Sequence, residues 1–241
     1  MVSGLAALAV TGLLASAAQA APVPLTVNGP SFEAPVQNNG SSNKDAAGWS
    51  FSGSKGAPNT DQAMFGVQDS TAKGYAPVAG DQFGFIWNAA KDSFMYQQVA
   101  SETIAASTTY KLSVWVRDTD ATNLPGTPDT LAELQILGFA GGVVVPGTVY
   151  AASGVIATTP DFTEYTAEFT SPASGGSVGE SFAIALVKRS DNNFQTGRDW
   201  WVDQYSQPLF DSVTLTAAVP EPASLSLLGL ASLGLLGRRR K

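Results

Sequence analysis

Residues 110–117 read YKLSVWVR. Tyr110, Leu112, Val114 and Val116 fall on one side of an extended chain, and Lys111, Ser113, Trp115 and Arg117 on the other. That is the period of two expected of a half-buried strand. The stretch 163–170, TEYTAEFT, repeats the pattern with Tyr165, Ala167 and Phe169 against Glu164, Thr166 and Glu168. Working outward, SFAIALV (181–187) and PLFDSVTL (208–215) are further short apolar strands, and DQFGFIW (81–87) and SFMYQQV (93–99) are earlier ones. No helix-sized window between Ala21 and Ala218 carries a 3.6-residue repeat, and Gly, Pro, Asp and Asn punctuate the apolar runs. The fold expected is all-β, an antiparallel sandwich in a single domain over 21–218.

Composition agrees with a buried core. Of 241 residues, 44% are hydrophobic and 14% charged, and 24 Gly and 14 Pro suit many turns. The chain holds neither cysteine nor histidine. Disulfides, thiolate nucleophiles, His-containing triads and the usual zinc and haem sites are thereby excluded. The net charge is −7, and becomes −10 once Glu221 and the four terminal cations are set aside. Nucleic acid, which demands clustered Lys and Arg, is not an expected partner. Cations or neutral polymers fit better.

Both ends read as addresses. Residues 1–20 carry an apolar stretch from Leu5 to Ala15 and close on Ala18-Gln19-Ala20, a small-x-small signal that places cleavage before Ala21. A signal peptide usually opens with a cation, whereas the first here is Lys44. At the other end, Val219-Pro220-Glu221-Pro222 precedes an apolar run from Ala223 to Gly237, followed by Arg238, Arg239, Arg240 and Lys241. As a helix that run would span about 22 Å, short of a ~30 Å hydrocarbon core, with the terminal cations able to snorkel and hold their end in the cytoplasm. These three elements in order resemble the PEP-CTERM sorting signal. The resemblance implies a transmembrane helix over 219–241, recognition of Pro220, Glu221 and Pro222 by a membrane-embedded exosortase, and delivery to the cell envelope or extracellular matrix. A permanent membrane anchor is the alternative.

The region between resembles a carbohydrate-binding-module or galactose-binding-like jelly roll. The residues that carry the likeness are Asn28, Gly29, Phe32 and Glu33 in VNGPSFE, Gly48-Trp49, the GDQFGF strand, YQQVA running into TTYKLSVWVR, and the closing LFDSVTL. Strand alternation places Asp211 with Leu209, Val213 and Leu215 unless a bulge intervenes, and a carboxylate aimed at apolar surroundings needs a cation or a dense set of donors. The resemblance implies a structural calcium at Glu33 and Asp211, since that hard cation takes oxygen ligands alone. The alternative is that Asp211 bonds to backbone amides or Arg198 and that Glu33 is solvated.

Sugar binding needs flat rings beside hydrogen-bonding groups. Two places offer them: the loop 189–207 with Phe194, Trp200, Trp201 and Tyr205, and Trp115 on the polar face of its strand. Trp49 and Trp87 are expected in packing. The pairs Asp118/Asp120 and Asp199/Asp203 are expected to be solvated, and no catalytic signature motif occurs. The function expected from these residues is a non-catalytic, exported polysaccharide-binding protein. A structural surface or biofilm-matrix protein and a glycan-active enzyme are the alternatives.

Overall fold

The computed structural model describes residues 20–37, 42–43, 46–52, 65–70, 75–86, 91–118, 130–140, 143–189 and 207–219. In chain order its strands are β1 (Val23–Leu25), β2 (Ser42–Asn43), β3 (Ser50–Ser52), β4 (Phe65–Asp69), β5 (Gln82–Ile86), β6 (Phe94–Thr103), β7 (Thr109–Asp118), β8 (Leu131–Ala140), β9 (Val143–Ala152), β10 (Ile156–Ala157), β11 (Thr163–Thr170), β12 (Ser181–Lys188) and β13 (Pro208–Ala218). No α-helix occurs among the described residues, and the two terminal helices expected from sequence lie outside them.

One sheet runs β11-β7-β13-β5-β4-β2, with β1 also paired to β13; the other runs β10-β8-β12-β6-β3, with β9 also paired to β8. Every pairing is antiparallel. The two sheets bury one shared core. Leu112, Val114, Val116, Phe210 and Leu215 come from the first sheet and Leu134, Ile136, Phe182, Ile184 and Leu186 from the second. The apolar side read in YKLSVWVR holds, with Tyr110, Leu112, Val114 and Val116 all buried; on the other side Lys111 is exposed and Trp115 half-buried, but Ser113 and Arg117 are buried too, so the strand is covered on both faces there. In β11, Glu164, Thr166 and Glu168 are exposed and Ala167 is buried, again as the sequence predicts. Pro22–Ala218 form one compact unit.

The N-terminal segment 28–37 is strapped to this body by side-chain amides. Gln97 accepts from the Asn28 amide at 2.8 Å and donates to the Asn28 carbonyl at 3.0 Å. Gln82 Nε2 donates to the Phe32 carbonyl at 2.8 Å. Phe32 then enters the core, stacked on Trp49 with ring centroids 5.4 Å apart. Trp49 is therefore a packing residue, as expected. Gly84 makes this possible, because a Cβ there would lie 2.6 Å from the Phe32 ring. The strap is what carries Glu33 to the first sheet.

Candidate functional site

The outer face of the first sheet is set by register. Asp211 lies opposite Trp115, and Trp115 opposite Glu164, so the three form one row across β13, β7 and β11. In the next row Leu209 lies opposite Arg117 on one side and Phe85 on the other. Alternation along β5 adds Phe83 to the same face. Leu209, Phe83 and Phe85 form a second apolar cluster, covered by Tyr75 and Phe162 from the segments before β5 and β11.

Unbroken alternation would place Asp211 on the face of Leu209, Val213 and Leu215, a placement expected only if no bulge intervened. A bulge does intervene: the β13 register shifts between Asp211 and Thr214, with Ser212 at φ 50°. One extra residue inverts the alternation. Val213 and Leu215 thus enter the main core with Phe210, while Asp211 and Leu209 stay on the outer face. Nothing in the letters FDSV announces a left-handed serine.

Asp211 is fully buried. Its Oδ2 accepts from the Val78 and Ala79 amides at 2.6 and 3.0 Å, and its Oδ1 from the Ser212 amide at 2.6 Å. Burial pushes its pKa up to about 6; the three amides oppose the rise, and the nearby Glu33 charge adds to it. Glu33 Oε1 accepts from the Asp81 and Gln82 amides at 3.1 and 3.0 Å. The two carboxylates therefore grip one turn, residues 78–82, from opposite ends of the sequence. Gly80 sits inside this clasp at φ +71°, where a Cβ would lie 2.3 Å from the Glu33 carboxylate. Backbone amides thus bond Asp211, as one expectation had it; Arg198, the other partner considered, lies outside the described residues. Glu33 is likewise amide-bound.

Beside the clasp lies a buried cation. The Arg117 guanidinium sits 3.8 Å from the Tyr75 ring centre and 5.5 Å from that of Phe162, and its Nε donates to the Asp118 carbonyl at 3.0 Å. Burial lowers its pKa, against the pull of Tyr75, Asp161 and Asp118. Tyr75 and Phe162 each pack on Phe83, at 6.2 and 6.3 Å between centroids. Trp115 lies half-exposed next to this layer. The arrangement is a set of partly exposed rings, Tyr75, Phe162 and Trp115, beside a buried guanidinium and a buried, tightly held carboxyl.

Of the residues singled out in the sequence, Glu33, Asp211 and Trp115 are brought to this one face. Phe194, Trp200, Trp201 and Tyr205 lie outside the described residues, as do Trp87, Asp120, Asp199 and Asp203. Asp118 accepts from the Thr130 hydroxyl at 2.8 Å. Tyr75, Phe83, Phe85, Phe162 and Leu209 were not anticipated as a cluster. Alternation in GDQFGF could have put Phe83 and Phe85 together, but no signal pointed to Tyr75 or Phe162. Ala20, Ala21 and Val219 are described, whereas Ala18, Pro220, Glu221, Pro222 and Arg238, Arg239 and Arg240 are not.

The geometry defines an all-β sandwich with an aromatic, arginine-bearing outer face beneath a carboxylate-pinned turn. A family model described as HpiC1 cyclase matches residues 23–216, and the chain belongs to that family. The model of the PEP-CTERM protein-sorting motif matches residues 218–241. The tail is thus a sorting signal, which implies export, transient anchoring at the C-terminus and processing by an exosortase.

Solved structures agree on the fold. The apo form of a cyclase from Fischerella sp. is 20% identical, with a TM-score of 0.62 over 83% of this chain and 98% of that one. A Stig cyclase, Fisc, from Fischerella sp. TAU, in complex with (3Z)-3-(1-methyl-2-pyrrolidinylidene)-3H-indole, is 19% identical with a TM-score of 0.62, over 83% of this chain and 100% of that one. A cyclase from Fischerella sp. TAU in complex with 4-(1H-indol-3-yl)butan-2-one is 18% identical with a TM-score of 0.60, over 83% and 100%. No curated protein matches the chain. The expectation of a non-catalytic polysaccharide-binding protein is overturned by the cyclase family. The residues behind it, exposed rings beside polar groups, serve any flat ligand and do not single out a sugar.

Proposed function

We propose that the chain is an exported cyclase that receives a flat, largely apolar aromatic molecule on the outer face of the first sheet. The observation that carries this reading is the coincidence of the cyclase family match over 23–216 with a face built from Trp115, Tyr75, Phe162 and Arg117. Two of the similar cyclases were crystallised with indole-bearing compounds, which supports a substrate of that shape.

Ring closure within one molecule demands above all that its two ends be held together in a dry, shaped site. Trp115 gives a stacking plane. Arg117, already desolvated among rings, adds a fixed positive charge over which electron-rich unsaturation is stabilised. We read the sandwich as a jelly roll, with the mature domain beginning at Ala21 and released to the envelope or beyond it.

The test uses purified residues 21–218 and 4-(1H-indol-3-yl)butan-2-one as a binding probe, followed by tryptophan fluorescence. A second arm incubates the domain with indole-bearing alkenes and looks for a product of unchanged mass and altered retention. Saturable quenching together with an isomeric product is expected. The absence of both quenching and an isomeric product would sink the reading.

We further propose that Glu33 and Asp211 take a calcium ion. Both carboxylates converge on the turn 78–82, and the Glu33 charge adds to the cost of ionising the buried Asp211. Calcium would use the carboxylate oxygen positions not taken by amides, together with backbone carbonyls. Among the described residues no group of three or more acidic, His or Cys side chains is poised for a metal, so Glu33 and Asp211 are the charged ligands those residues supply. Isothermal titration after chelation should give calcium heat and a raised Tm; a flat titration with an unmoved Tm leaves the amides as the only partners.

A further inference from the structure

The second sheet is irregular where β9 pairs with β8. Between matched positions β8 advances from Leu137 to Phe139, whereas β9 runs from Val149 back to Val144, so three surplus residues of β9 stand off from β8 beside Gly138. Pro146 lies in that stretch and has no N–H to give to a ladder. Next to the bulge is a cavity of about 440 Å³ lined by Gly138, Phe139 and Ala140 of β8, Thr148 of β9, and Glu180 and Ser181 at the start of β12. Gly138 keeps room there, because a Cβ would lie 2.8 Å from Thr148 Cγ2 and 3.2 Å from the Tyr150 hydroxyl.

Glu180 is the charged member of this lining, and it is held from several sides. Its amide donates to the Ser177 carbonyl at 3.0 Å, and its own carbonyl accepts from the Ile104 amide at 2.9 Å. The hydroxyl of Tyr150, a half-buried residue stacked on Phe169 with ring centroids 5.2 Å apart, donates to Glu180 Oε2. Burial and the Glu180 carboxylate both push the Tyr150 pKa up, so the phenol stays a donor. This bond fixes the carboxylate and leaves Oε1 with no hydrogen bond to a described residue. Among the described residues no cation pairs with Glu180, and the Thr148 and Ser181 hydroxyls likewise make no hydrogen bond.

We propose that this cavity binds a small organic ammonium ion, with Glu180 as its counter-charge. A protonated primary amine brings a positive charge and three N–H donors. The site offers one carboxylate oxygen and two hydroxyl oxygens free to accept, with Gly138, Phe139 and Ala140 beside them for the carbon skeleton. A calcium or magnesium ion would ask for about six oxygens or more, and an anion would meet the Glu180 charge. A neutral alcohol would forgo the charge-assisted part of the bond. Because Tyr150 already orients the carboxylate, little freedom is left for the ligand to freeze out. The cavity belongs to the second sheet, whereas Trp115 and Arg117 belong to the first, so the inference does not rest on the cyclase reading.

The experiment titrates residues 21–218, within which Pro22–Ala218 form one compact unit, with phenethylammonium chloride and, separately, with its neutral counterpart 2-phenylethanol, by calorimetry. Saturable one-to-one binding of the ammonium is expected, with the alcohol weaker by about tenfold or more. This comparison uses the wild-type chain and needs no variant to fold. Glu180→Gln should weaken the ammonium by a similar factor while leaving the fluorescence response to 4-(1H-indol-3-yl)butan-2-one as it is in wild type. Absence of ammonium heat, equal binding of the alcohol, or full affinity in Glu180→Gln would overturn the proposal. So would displacement of the ammonium by the indole probe, which would put both ligands on the first sheet's face. Loss of the indole response in wild type, with ammonium binding kept, strikes the cyclase reading alone and leaves this cavity's ligand supported.

Discussion

Each sheet has an arginine and a buried carboxylate on or beside its outer face, Arg117 buried and Arg189 partly exposed, but the two faces treat them in opposite ways. On the second sheet, Arg189 pairs directly with Glu133 and Asp92, and Gln135 Nε2 donates to the same Glu133 oxygen at 3.0 Å. Burial works against the Arg189 charge, yet the two carboxylates outweigh it and its pKa rises. On the first sheet, Arg117 is held by rings and Asp211 by backbone amides, and each is shifted toward its neutral form by burial. Opposite charges that neutralise each other make a structural staple. Opposite charges kept apart are a cost to the fold, and they leave a field available to a ligand.

The comparison breaks most readily at the arginines. Arg189→Ala removes the cation that pairs with Glu133, only 7% exposed; stripping a largely buried carboxylate of a partly exposed partner should cost about 3 kcal/mol. Arg117→Leu replaces a desolvated charge by an apolar group among rings and should change stability by less than about 1 kcal/mol, while abolishing quenching by the indole probe. Urea unfolding of both variants measures this. A large loss for Arg117→Leu with a small one for Arg189→Ala would invert the assignment of staple and ligand face.

The isolated carboxyl makes the next largest difference, and its sign is fixed by linkage. With a folded pKa of about 6 against the ordinary value of 3.8, Asp211 binds a proton more tightly in the native state. Its contribution is fully present below about pH 4 and is lost as pH rises through 6. A gap of that size corresponds to about 3 kcal/mol. The difference in unfolding free energy between wild type and Asp211→Asn, measured with chelator from pH 4 to 7, should swing by about that amount. A difference independent of pH would mean that the amides, not burial, govern this group. Added calcium should hold Asp211 ionised and flatten the wild-type decline.

How much of this was legible depends on how local the signal was. The alternation in YKLSVWVR and TEYTAEFT needs no partner to be read, and both strands fold as their letters imply. The sorting tail is short, contiguous and equally plain. The bulge at Ser212 was invisible, because serine has no marked preference for positive φ; one residue redirected Val213 and Leu215 into the core. Glu33 and Asp211 were paired by resemblance, but the turn they both hold, 78–82, could not be foreseen from residues more than forty positions away. Tyr75 and Phe162 reach Arg117 from segments outside the strands, where periodicity carries no information. The cyclase family was hidden for a related reason: one sandwich hosts many activities, and rings on a sheet face suit sugars and indoles alike.

A smaller effect tests the clasp itself. Gly80→Ala forces a side chain into left-handed backbone and against the Glu33 carboxylate, which must swing away and surrender its bonds to Asp81 and Gln82. The expected loss is about 2 kcal/mol. Gly179 is the control, since it has φ +85° and an added methyl there would meet nothing within 4 Å; Gly179→Ala should cost about 1 kcal/mol for the backbone alone. Equal losses would show that the Glu33 contact adds nothing.

The smallest change sharpens the ligand side. Trp115 stands half-exposed between Glu164 and Asp211 and outside the Tyr75–Phe83–Phe162 layer, so trimming it should leave the fold almost untouched. Trp115→Ala is expected to weaken the indole probe by about 1 kcal/mol, roughly fivefold, through loss of one stacking plane. Trp115→Phe should recover most of that, since it restores an aromatic face without the indole N–H. If Phe fails to rescue, the contact is a hydrogen bond and not a stack, and the flat-ligand reading of this face would have to give way to a polar one.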